Sequence, residues 1–176
     1  MKDENPVCVS VSKFDHGLNF AASDTVAAAL REFVLIEAFL DRTVTLIAWE
    51  TSHYSQPEFD SGQLLSGGAD TFRAVNVDAC PRDLLSRIAS AWDFEINMIW
   101  IMLVSAVSDS SLIELVNSID VRIEGRIDGA DTTELIVAND DGMTLLWWNP
   151  SVSMIELVDL LRRFSNTTGC NFEIAE

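Results

Sequence analysis

Residues 94–107 read Phe-Glu-Ile-Asn-Met-Ile-Trp-Ile-Met-Leu-Val-Ser-Ala-Val, and from Ile96 onward almost every position is apolar. Phe94, Ile96, Met98, Trp100 and Met102 fall on one alternating face; Ile99, Ile101 and Leu103 fall on the other. A strand that is apolar on both faces must be covered on both, so this run is expected to be the central strand of a sheet. Its aromatic and β-branched residues favour that reading over a buried helix. Glu95 and Asn97 interrupt it, and a membrane span would need ~20 apolar residues.

The flanking chain supplies the elements that could cover such a strand. Val7, Val9 and Val11 alternate with Cys8, Ser10 and Ser12, which predicts a half-buried strand over 6–12. Residues 13–22 read as a loop. Ser23 and Asp24 offer an N-cap, and Val26, Ala27, Leu30, Phe33 and Val34 repeat at helical spacing. A helix to about Leu40 follows, although 33–40 also carries strand formers. A strand is expected over 43–50, an irregular segment over 51–70, and a strand over 71–77. Pro81 suits the first turn of a helix bearing Leu84, Leu85, Ile88, Ala91 and Trp92. Beyond the central strand come a short helix near 110–116 and a strand over 121–127. Strands over 132–138 and 143–149 join through Asn139-Asp140-Asp141-Gly142, a hairpin signal. Residues 121–149 thus read as a three-stranded antiparallel meander. A last helix starts at Pro150-Ser151, and a closing strand covers 170–175.

Asp83-Leu84-Leu85-Ser86-Arg87-Ile88 leads to Phe94-Glu95-Ile96, and Asp159-Leu160-Leu161-Arg162-Arg163-Phe164 leads likewise to Phe172-Glu173-Ile174. This echo suggests two β-helix-β units in pseudo-twofold halves, unless helix-to-strand joins merely share such residues. The expected fold is one α+β domain over 1–176. Its mostly antiparallel sheet would have six to eight strands, packed with three or four helices.

Charge constrains function more than any motif. The 176 residues include 28 acids against 11 bases, a net charge of −17. Such a field repels nucleic acid and anionic membrane and draws in cationic partners. It also serves solubility alone in many proteins. Three widely spaced cysteines without a CxxC pair suit a reducing compartment. The charged N-terminus lacks an apolar core of a signal, so a cytoplasmic protein is expected.

Chemistry-bearing signatures are sparse. His16 and His53 fall in expected loops, and no GxSxG elbow accompanies them. Neither a P-loop nor a GxGxxG occurs. The acids around the hairpin do not follow the calcium-loop pattern, and no cysteine cluster suits zinc. No catalytic, metal or cofactor-binding residue is therefore expected. What stands out is acid without base: Glu50, Glu58, Asp60 and Asp70 lie where no Lys or Arg occurs between Arg42 and Arg73. Asp128, Asp131, Glu134, Asp140 and Asp141 form a second such run. Trp147 and Trp148 should point to opposite faces of their strand. Trp148 beside the acidic hairpin is a candidate surface anchor, with a covered second face as the alternative.

These features predict a non-enzymatic acidic binding protein whose two acidic segments and Trp148 dock on a basic protein. A bacterial immunity protein neutralising a cognate toxin, such as a nuclease, fits by class. Two alternatives stand beside it: a nucleic-acid mimic that inhibits a defence enzyme, and a structural or assembly subunit, for example a homodimer.

Overall fold

The structure is a computed structural model. It describes residues 7–14, 17–49, 63–67, 70–91, 99–103, 134–139 and 144–175. These form an α+β fold in which nine strands make one mixed sheet and three helices pack against it.

The alternation near the N-terminus produces β1 (Val7–Phe14), with Val9 and Val11 buried. The loop expected over 13–22 is instead the end of β1 followed by β2 (Gly17–Ala22), which runs antiparallel from Phe14↔Gly17 to Val9↔Ala22. Only Leu18 and Phe20 bury apolar bulk there, because the opposite face carries Gly17, Asn19 and Ala21. Ser23 precedes α1 (Asp24–Phe39), so 33–39 is helix rather than strand. β3 (Val44–Trp49) follows. The segment expected to be irregular over 51–70 contains β4 (Gln63–Gly67), which pairs with β5 (Asp70–Val77). Then come α2 (Arg82–Ala91), β6 (Ile99–Leu103), β7 (Leu135–Asn139) and β8 (Thr144–Trp148). α3 (Met154–Thr168) and β9 (Asn171–Ile174) complete the order. The helix expected near 110–116, the strand over 121–127, His16 and His53 lie outside the described residues.

The strand order is β4-β5-β3-β6-β7-β8-β2-β1-β9. Nine strands exceed the expected six to eight. Seven of the eight pairings are antiparallel, and β1 with β9 is the parallel one. The apolar run gives β6 an interior place between β3 and β7. Its pairing with β7 makes the antiparallel trio β6-β7-β8, where the sequence suggested 121–127 as the third member.

The two echoed joins are not equivalent. β5 and β6, on either side of α2, flank the single strand β3; β8 and β9, on either side of α3, flank β2 and β1 together.

All three helices bury their apolar stripes on one face of the sheet. Leu30, Val34, Leu35 and Phe39 of α1 meet Leu84, Leu85 and Ile88 of α2 and Leu157, Leu160, Leu161 and Phe164 of α3. Below them lie Val9, Val11, Leu18, Phe20, Val44, Leu46, Ile136, Leu145 and Trp147. Each such aliphatic or aromatic residue, fully buried, contributes roughly 1.5–3 kcal/mol. The seam between α1 and α2 also holds Arg31, which is 1% exposed and donates from Nε to the Ala89 carbonyl at 3.1 Å. Burial draws its guanidinium down from the ordinary value.

The start of α3 shows a two-sided cap. The Ser153 hydroxyl accepts from the Glu156 backbone N–H at 3.3 Å, and the Glu156 carboxylate accepts from the Ser153 N–H at 2.7 Å. The helix therefore begins slightly later than Pro150-Ser151. Ser153→Ala should cost about 1 kcal/mol in chemical denaturation. These hydrogen bonds hold the Glu156 carboxyl below its ordinary value of 4.5. A depressed folded value means the contribution is complete above the unfolded carboxyl's titration and is lost as pH falls through the folded one. The stability gap between wild type and Glu156→Gln should therefore be constant near neutrality and close on acidification below 4.5, as Tm series would show.

Candidate functional site

Glu134 stands immediately before β7, in phase with Ile136, and so faces the helix-covered side of the sheet. It is 6% exposed. Its Oε1 accepts from Trp147 Nε1 at 3.0 Å, and from the Ser151 N–H and hydroxyl at 3.2 Å each. Its Oε2 pairs with Arg42 Nη2 at 3.2 Å. Arg42 in turn donates from Nη1 to the Ala38 carbonyl at 2.7 Å, near the C-terminus of α1. Three donors therefore converge on Oε1 and one reaches Oε2. This hub ties α1, β7, β8 and the corner after β8 together.

Glu134 is thus not a surface acid, which corrects its expected role in partner contact. The reason is its phase: it continues the inward face of β7. Trp148 is corrected as well. Trp147 is 0% and Trp148 4% exposed, so both faces of β8 are covered. The Trp148 ring meets Phe14 edge-on, with centroids 5.3 Å apart. Asp70 opens β5. Glu50, Glu58, Asp60, Asp128, Asp131, Asp140 and Asp141 lie outside the described residues.

No protein-family model matches the chain, and no curated protein or solved structure matches it.

Arg163 bridges α3 to Glu37 of α1 through two hydrogen bonds of 2.6 and 2.9 Å, and lies over the Phe33 ring. That pairing holds its guanidinium above the ordinary value. Arg87 pairs with Asp83 and Arg162 with Asp159. With Arg42 on Glu134, at least four bases among the described residues are matched to acids nearby in the fold. Asp24, Asp41 and Asp78 are exposed as well.

A cleft of about 260 Å³ opens between the facing ends of β1 and β2 and the start of α3. Phe14, Leu18, Val152, Met154 and Leu157 line it, with Lys13 at the exposed rim. It is smaller than the ~300–1,000 Å³ typical of small-molecule sites. Ile155 beside it is 77% exposed and Met154 36%. On the other face of the sheet, Trp148 Nε1 and Asn19 Oδ1 are buried without a hydrogen-bond partner among the described residues. They are diagonal neighbours, since Asn19 pairs with Leu146. Among the described residues no group of His, Cys, Asp and Glu is placed to hold a metal ion, and no helix is long and apolar enough to cross a membrane.

Proposed function

We propose that the protein is a non-enzymatic binding protein of the cytoplasm: an immunity protein that neutralises a cognate basic toxin, such as a nuclease. The observation that carries this reading is the net charge of −17, 28 acids against 11 bases. Among the described residues at least four bases are engaged by acids within the fold and so do not neutralise the others. Glu50, Glu58, Asp60 and Asp70, with Asp128, Asp131, Asp140 and Asp141, are the residues assigned to the contact. Their carboxylates take the places of the phosphates that a cationic cleft normally holds, and the field steers the encounter. Ile155 and Met154 supply the apolar contact that a charged rim ordinarily surrounds.

The test is a pull-down with the full chain, at low salt and again near 1 M, where the Debye length shrinks to ~3 Å. A basic partner whose association rate falls by about tenfold or more between the two supports the reading. Reversing Glu50, Glu58, Asp60 and Asp70 to lysine should weaken the complex while leaving the fold intact. A partner held equally well at both salts, or none, overturns it. A captured nucleic-acid-processing defence enzyme, with no toxin encoded beside this reading frame, would favour mimicry of nucleic acid instead.

A further inference from the structure

We propose that Cys8 and Cys170 are a redox pair that closes into a disulfide when the chain meets an oxidised low-molecular-weight thiol such as glutathione disulfide. β1 and β9 pair in parallel, and their register steps from Val7↔Asn171 to Val9↔Phe172. Cys8 is therefore the extra residue of a bulge, next to the pair that contains the neighbour of Cys170. The Ser23 N–H donates to the Cys8 carbonyl at 3.0 Å and fixes that bulge. Cys170 belongs to the hydrophobic core and Cys8 packs against that core, so both side chains lie on the helix-covered side, flanking the Val7↔Asn171 pair. Cys170 is 7% exposed, whereas Cys8 is half-buried and is the sulfur an oxidant reaches first. Burial, together with Cys170, pushes the Cys8 thiol up from its ordinary value, so the resting form is the protonated thiol. Cys80 is fully buried at the junction of Arg42 and α2, away from this pair.

The chemistry balances in two exchanges. The Cys8 thiolate attacks one sulfur of glutathione disulfide; that S–S bond breaks, and its electron pair leaves on one glutathione thiolate. The Cys170 thiolate then attacks the Cys8 sulfur of the mixed disulfide and expels the second glutathione thiolate. The protein gives up two electrons and two protons, and one glutathione disulfide becomes two glutathione molecules. The new bond ties β9, which pairs only with β1 among the described strands, to the other end of the chain. It constrains a loop closed between residues 8 and 170, the long-loop case in which a crosslink restricts the unfolded chain most.

The experiment equilibrates the full chain in glutathione buffers from fully reduced to fully oxidised. Titratable thiols in the denatured protein should fall from three to one, and a peptide linking Cys8 to Cys170 should appear by mass spectrometry. The unfolding midpoint should rise by on the order of 10 °C, reversibly with dithiothreitol. Cys80→Ser should behave as wild type, and Cys8→Ser should lose the crosslink. Three thiols surviving full oxidation, a stable mixed disulfide at Cys8, or a link through Cys80 would each overturn the proposal. None of these outcomes depends on the salt-sensitive partner.

Discussion

Replacing Glu134 with alanine is expected to lower the unfolding free energy by about 3–5 kcal/mol, the range for removing one partner of a buried, hydrogen-bonded ion pair. The carboxylate accepts from Trp147, Ser151 and Arg42, and Trp147 is wholly buried, so its indole N–H has no water to turn to. Each buried donor left without an acceptor costs about 1–3 kcal/mol. Glu134→Gln keeps an oxygen on the Trp147 and Ser151 side, but it replaces the acceptor facing Arg42 with an amide NH2, a donor. Arg42 is 35% exposed and can turn to solvent, so that variant should lose about 1–2 kcal/mol. Urea denaturation, with a double-mutant cycle through Arg42→Ala, measures both. If Glu134→Ala were no worse than Glu134→Gln, the carboxylate would not be the acceptor that organises this corner.

Glu134 also shows where the sequence is legible and where it is not. The helices were readable because their apolar residues repeat over three or four turns, so one polar interruption does not erase the stripe. Arg31, for instance, sits inside the buried face of α1 without disturbing it. β2 and β4 lacked such redundancy. In β2 the burying face is essentially Leu18 and Phe20, and the alternate positions are Gly17, Asn19 and Ala21, poor strand formers that the neighbouring strands hold in place. β4 is a five-residue strand ending at Gly67. The acids around Glu134 in the sequence suggest a surface position. Its position two residues before Ile136 was the available signal, since a period of two carries it inward. Trp148 follows a similar rule: Leu145 and Trp147 on one face, with Leu146 and Trp148 on the other, make β8 apolar on both sides, as in the run that placed β6. No sequence pattern pointed to the partner that fills the Glu134 site, because Arg42 lies 92 positions earlier (134 − 42) and meets it only through the sheet.

Gly17→Ala is the second substitution expected to be costly, at about 2–3 kcal/mol. An added Cβ would run into the end of the Phe14 ring and into the Trp147 carbonyl oxygen on β8. The ring is the softer obstacle, but it packs edge-on against Trp148, and swinging it away would uncover that indole. Phe14 lies directly across from Gly17 in the β1–β2 ladder, an aromatic covering a glycine gap. The carbonyl is harder to move, because Gly17 and Trp148 are paired residues of the β2–β8 ladder and shifting Trp147 disturbs that register. Gly169→Ala provides the contrast. Gly169 has φ of +74° at the end of α3, and an added Cβ there meets nothing within 4 Å. Its cost should be the left-handed backbone alone, about 1 kcal/mol. Denaturation of both variants, and of Phe14→Ala with and without Gly17→Ala, separates the causes. Little relief in the Phe14→Ala background would locate the clash at the Trp147 carbonyl, and full relief would place it on the ring; a Gly17→Ala variant as stable as wild type would mean that β2 and β8 do not approach as closely as this register requires.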